Sequence, residues 1–180
     1  KQLTLKKKLS EDIRPLHSKT AYFYFNFIST TTGMGTNRWL KYKIEKLPIP
    51  QLDITRRKSC EILAAYHILL NNPTTPQILE HAPNEIISRN FEEVLNMMVY
   101  ELYFEKHLKE KEIDVLQFVN PEGSGQAFPD ISKMQTFEEK RDAIQKIYYW
   151  LKEKDNPIRN RILVSESRSW IIKRINESTH

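Results

Sequence analysis

Residues 29–50 read STTTGMGTNRWLKYKIEKLPIP. Thr30, Thr31, Thr32, Thr36 and Asn37 place hydroxyl and amide groups in a stretch freed by Gly33 and Gly35. Those side chains and the backbone amides around the glycines can donate to phosphate oxygens. Arg38, Lys41 and Lys43 add charge beside them, and Arg38 can alternatively read a guanine edge. Trp39 can stack on a base or brace a strand. The chemistry on offer is non-covalent capture of a polyanion. A plain surface connection with a core Trp accounts for the same residues, because loops are polar in general.

Other residues with chemical potential are weaker. Pro129-Asp130 followed by Glu138-Glu139-Lys140 fits a nuclease-type pattern, with two carboxylates for Mg²⁺ and a lysine beside the water. Those carboxylates belong on neighbouring strands, whereas Glu138 and Lys140 fall in the first turn of a capped helix. A helix across 137–151 excludes that reading. Lys6-Lys7-Lys8 can follow a phosphate backbone or form a solvated terminus. Arg56-Arg57-Lys58 opens a helix, where the macrodipole disfavours cations, so it suits either a polyanion contact or a solvated face. The histidines at 17, 67, 81, 107 and 180 show no metal-ligand spacing, and His67 and His107 read as boundary residues. Cys60 is the single cysteine and reads as a small buried residue. No catalytic site and no metal site is visible in the sequence.

These groups must be positioned by a chain of 180 residues, enough for one domain with a core or two small ones. An apolar content of 39% and a charged content of 28% are those of a globular protein, not a disordered one. No apolar run approaches the roughly 20 residues needed to span a bilayer. The basic start lacks the apolar stretch of a signal peptide, and one cysteine precludes internal disulfides, so the cytoplasm is the expected compartment. The first residue is Lys1, and initiator-Met removal needs a small second residue. The chain is therefore expected to be a piece of a longer polypeptide. The net charge of +5 is unevenly spread: residues 1–50 carry ten Lys/Arg against three acids, the remainder eighteen against twenty. Such asymmetry is expected of a polyanion-binding segment joined to an ordinary folded body.

The expected fold is α+β and predominantly helical, with a small β or irregular N-terminal part over 1–50 and a helical body over 51–180. LHSKTAYFYFNFIS (16–29) is densely aromatic and, following Pro15, reads as a helix. A strand is expected in 40–47, ended by Pro48 and Pro50. Ile62, Leu63, Tyr66, Leu69 and Leu70 share one helical face, and NNPTTP stops that helix. Phe91, Val94, Leu95, Met98 and Leu102 form a second stripe. Residues 120–130 read as a loop. Thr136 and Glu139 stand at capping-box spacing before a stripe of Phe137, Ile144, Ile147, Tyr148 and Leu151. A last helical stretch carries Ile158, Ile162, Trp170, Ile171 and Ile175.

From Leu16 to Pro50 the chain resembles the C-terminal target-recognition region of type II adenine-specific DNA methyltransferases, including fused restriction–modification enzymes with a TaqI-like specificity domain. That family carries an aromatic Leu-Asn-Ser-Lys-like helix and a Ser/Thr/Gly loop. A basic Trp-Leu-Lys-x-Tyr segment then ends in Leu-Pro-Ile-Pro. MMVYELYFEKHLKEKEI (97–113), with its Val-Tyr-Glu-Leu-Tyr, resembles the helical segment that follows in the family. His17 stands where the family has Asn. The Asn-Pro-Pro-Tyr-type motif that holds a flipped adenine and the cofactor-binding glycine motif are both absent from the sequence.

The resemblance implies a DNA-binding specificity module of a bacterial restriction–modification protein, non-catalytic by itself. The catalytic methyltransferase domain, using S-adenosylmethionine, is then expected upstream in the same chain and is a partner of this piece, with double-stranded DNA the other. No membrane partner is expected. The residues expected to contact DNA are Lys19, Thr30, Thr31, Thr32, Gly33, Gly35, Thr36, Asn37, Arg38, Trp39, Lys41 and Lys43. The alternative is a helical docking module for the catalytic domain or another subunit, with the basic segment incidental.

Overall fold

The computed structural model describes Lys19, Pro50, residues 53–119 and residues 128–178. The aromatic helix expected over 16–29, apart from Lys19, the loop of 30–37 and the strand expected in 40–47 lie outside the described residues. The boundary drawn near residue 50 does too, save for Pro50 itself.

The described residues are predominantly helical, and their β pairing is limited to an isolated bridge between Leu79 and Ala82. Five α-helices run in order as α1 (Ile54–Leu70), α2 (Asn84–Glu110), α3 (Phe137–Lys152), α4 (Pro157–Arg168) and α5 (Trp170–Ser178). Short 3₁₀ turns at Leu116–Phe118 and Ile131–Lys133 lie between α2 and α3. None of the described helices is long and apolar enough to cross a membrane.

Local signals account for the helix ends. The Asp53 carboxylate accepts the Arg56 amide at 2.8 Å and starts α1, and it offsets the cations of that first turn. The Asn71 side chain donates to the His67 carbonyl at 2.8 Å and closes the helix before Pro73 and Pro76. Thr136 and Glu139 form the expected capping box of α3. Asn156 caps α4 by accepting the Arg159 amide at 2.9 Å, and Pro157 fills the first helical position. Helix α2 departs from helical geometry at Phe104 (φ −129°, ψ 35°). It ends with Ile113 N–H bonded to Leu108 O at 3.0 Å and Glu112 N–H bonded to Lys109 O at 3.1 Å. This is a Schellman closure with both hydrophobic partners, Leu108 and Ile113, buried. Its left-handed position, φ 57°, is held by Glu112 rather than by glycine.

One core cluster joins α1, α2, α3, α4 and α5. Helix α1 packs on α2, α4 packs on α2, α3 and α5, and the second 3₁₀ turn bridges α1 and α3. The Tyr66 ring meets Phe91 edge-on at 5.1 Å, and Phe128 fills the space between Tyr66 (6.5 Å) and Trp150 (5.9 Å). Each fully buried Ile, Leu or Phe contributes about 1.5–3 kcal/mol. A cap contributes about 1 kcal/mol, so the shared apolar cluster dominates the stability of the described body.

The structure departs from the sequence reading in several places. Leu69, Leu95 and Leu102 are half-buried and only flank the core, whereas Tyr100 and Glu101 are buried. The last stretch is two helices, broken at Ser169 because that buried hydroxyl is bonded at 3.0 Å to His107 on α2 and caps Ile172. Trp170 is no core residue and stands 73% exposed.

Candidate nucleic-acid interface

Of the residues expected to contact DNA, Thr30, Thr31, Thr32, Gly33, Gly35, Thr36, Asn37, Arg38, Trp39, Lys41 and Lys43 lie outside the described residues. Lys19 is described and half-buried. Its ammonium donates to Asn176 Oδ1 on α5 at 3.5 Å. The same oxygen accepts the Tyr100 hydroxyl at 2.8 Å, while Asn176 Nδ2 donates to Glu166 at 2.6 Å. Burial, helped by the charge of Glu166, raises the Tyr100 pKa, so the phenol stays a neutral donor. Asn176 thus links α2, α4, α5 and Lys19.

Tyr100 belongs to Val-Tyr-Glu-Leu-Tyr, and its neighbour Glu101 has an equally structural task. The Glu101 carboxylate is 2% exposed and accepts the amides of Val115 (2.6 Å) and Leu116 (2.8 Å). It satisfies two donors at the start of the first 3₁₀ turn. Desolvation raises its pKa, and the two amides work against that rise. A perturbed buried carboxylate can mark an active site. Here the perturbation has a structural source, because the acceptor oxygen is already occupied by backbone amides. A polar pair inside an apolar helix face was the signal available in the sequence for both residues.

Arg56, at the start of α1, is held within the protein. Arg56 grips Glu105 of α2 in a forked pair at 3.0 and 2.5 Å and also lies 3.3 Å from Asp53. Lys109 approaches Glu105 at 2.7 Å. The Arg56 hydrogen bond, then that of Lys109, lowers the Glu105 pKa to about 2. Arg57 pairs with Glu61 at 3.2 Å. Arg56 is therefore a helix-packing cation, and Arg57 is a helix-surface cation in an i,i+4 pair.

The nuclease reading fails on geometry. Glu138 and Lys140 sit within α3, which spans Phe137–Lys152, not on a strand. Glu139 accepts the Gln135 and Thr136 amides at 2.9 and 3.1 Å. Asp130 caps the second 3₁₀ turn through Ser132 and lies 3.4 Å from Lys133. The hydrogen bond from the Ser132 hydroxyl, first among several causes, lowers the Asp130 pKa.

The histidines described within hydrogen-bond range are half-buried or exposed ties between elements. Ser88 Oγ lies 2.9 Å from His67 Nδ1 and accepts from Asn71 Nδ2 at 2.7 Å. Ser88 is buried, so this Ser–His pair joins the end of α1 to α2 and presents no nucleophile to solvent. His107 joins α2 to Ser169, and His81 stacks on the exposed Tyr149 at 6.2 Å. Cys60 is half-buried against the core rather than fully buried. Among the described residues no three His, Cys, Asp or Glu gather to hold a metal ion.

What the described arrangement supplies is a helical platform with one predicted DNA-contact residue, Lys19, set against α5. Compared with protein-family models, curated proteins and solved structures, the chain has no match.

Proposed function

We propose that this chain is the DNA target-recognition part of a bacterial restriction–modification adenine methyltransferase. In this reading the Thr, Lys and Arg groups of residues 1–50 grip phosphates, Asn37 or Arg38 reaches a base edge, and the helical body supports them. The methyl transfer from S-adenosylmethionine belongs to a catalytic domain upstream in the parent protein, to which the target adenine is flipped. This piece reads the site and does not methylate it.

The observation that carries the reading is the ordered resemblance: Leu16–Pro50 first, then Val-Tyr-Glu-Leu-Tyr at 99–103. The charge excess of residues 1–50 points the same way. The test is a fluorescence-anisotropy titration of a labelled duplex pool at two salt concentrations. About five phosphate contacts should give a slope of log K against log salt near −4 to −5. Arg38→Glu with Lys41→Glu should abolish that binding. A wild-type chain that leaves duplex DNA unbound at low salt refutes the reading.

A docking module is the second reading, favoured by one face of α1. Ile54 is 87% exposed and Ile68, on the same face, is 66% exposed. Under that reading the Arg38→Glu, Lys41→Glu variant keeps full binding to its protein partner, and Ile68→Glu loses it.

A further inference from the structure

Helix α5 presents two faces of different character. Ile172 and Ile175 are buried, while Trp170, Lys173, Arg174 and Glu177 are exposed. At ~100° per residue the exposed four fall within about 100° of arc, so they form one continuous strip. Trp170 at 73% exposure is the largest side chain on it. An exposed indole offers a flat apolar face and an N–H donor at its edge, a surface on which a sugar or a base can rest. Lys173 has no ion pair among the described residues. Arg174 meets Glu177 only at 4.0 Å, with both side chains more than half exposed, a pair that solvent screens. Two cations flanking an exposed indole one helical turn away match a sugar–phosphate backbone: the ammonium and guanidinium take the phosphates and the ring lies on the sugar.

The position of this strip selects the partner. Asn176, at the rim of the same face and about 60° round the axis from Lys173, accepts the Lys19 ammonium. Lys19 belongs to the basic segment that carries the proposed DNA contacts. We propose that the exposed face of α5, through Trp170, Lys173 and Arg174, is a second DNA-contacting surface that continues the basic segment at Lys19 and takes the sugar–phosphate backbone of the bound duplex. This inference rests on the DNA-binding reading and adds to it a site within the helical body.

The test uses the full 180-residue chain and the same labelled duplex. Lys173→Glu with Arg174→Glu should weaken binding about tenfold or more at ~0.1 M salt and make the salt slope shallower by about 2, one for each phosphate no longer neutralised. Trp170→Ala should weaken binding about fivefold with the slope unchanged, because an apolar contact releases no counterions. Lys173→Gln with Arg174→Gln preserves helix propensity and should give the same change of slope, which separates removal of charge from disturbance of the helix. If wild-type chain binds with the steep slope and all three variants match it, the α5 surface is overturned and the DNA-binding reading stands. If wild-type chain does not bind duplex at all, the reading fails and takes this inference with it.

Discussion

Glu101 offers the sharpest check on how the helical body is held together. Its carboxylate, 2% exposed, is the acceptor for the amides of Val115 and Leu116, at 2.6 and 2.8 Å. Truncating it to alanine leaves two buried donors without partners. Each such donor costs about 1–3 kcal/mol, so Glu101→Ala should lose roughly 3–5 kcal/mol. For a chain of this length that corresponds to a melting midpoint lower by about 10 °C. Glu101→Gln keeps a carbonyl oxygen in the same place and removes a charge that the interior penalises. It should cost no more than about 1 kcal/mol near neutral pH. The folded pKa of Glu101 is raised, so the proton-linked part of its contribution is complete below the unfolded value near 4.3 and is lost as pH rises through the folded pKa, while its acceptor role for the two amides remains, in keeping with a mild Gln variant. Urea unfolding of wild type, Glu101→Ala and Glu101→Gln at pH 7, followed by circular dichroism at 222 nm, gives the comparison. If Glu101→Gln is as damaging as Glu101→Ala, the charge and not the acceptor matters, and the role assigned to Glu101 is refuted. If Glu101→Ala stays within about 1 kcal/mol of wild type, the two amides have other partners and that role is equally refuted.

Three further outcomes follow from the same structure. Glu112→Gly should raise stability by about 0.5–1 kcal/mol, because glycine accepts the left-handed geometry at φ 57° without steric cost; a lower midpoint in a thermal melt contradicts this. Glu105→Gln should lower stability by about 1 kcal/mol at pH 7 after screening of this partly exposed pair. Because the Glu105 pKa is lowered to about 2, that difference should shrink as pH falls from about 4.3 towards 2, as read by urea midpoints at several pH values. Tyr66→Phe should cost about 1–1.5 kcal/mol by removing the 2.7 Å hydrogen bond from its hydroxyl to the Pro129 carbonyl, with the ring packing on Phe91 retained; an unchanged urea midpoint would rule that bond out as a stabilising one.

Much of the helical body could be read along the chain. The stripe of Ile62, Leu63, Tyr66 and Leu70 is the buried face of α1, and Thr136 with Glu139 opens α3 as their spacing predicts. Pro73 and Pro76 stand in the turn that separates α1 from α2. These signals act within about four residues, through hydrogen bonds and side-chain spacing that the helix itself imposes. The candidate site was less open to such reasoning. A Thr, Lys and Arg stretch declares a chemistry, but nothing in its spacing announces that Lys19 meets Asn176, 157 residues later.

Local rules likewise could not say which apolar positions would be innermost. Leu95 and Leu102 fit the stripe of α2 yet are half-buried, while Tyr100 and Glu101 are buried because Asn176 and the amides of residues 115 and 116 meet them there. Phe128, in a stretch that reads as loop, is buried because the Tyr66 and Trp150 rings stand on either side of it. Trp170 has the spacing of a core residue and faces water, since Ser169 is anchored to His107 and α5 starts anew from that anchor. Helical periodicity and capping chemistry are properties of neighbours in sequence, so they mark where most of the helices form, although the break at Ser169 is set by its contact with His107. Burial and hydrogen-bond partnership depend on groups brought together across 15, 63 or 157 residues, and only the packed fold can assign them.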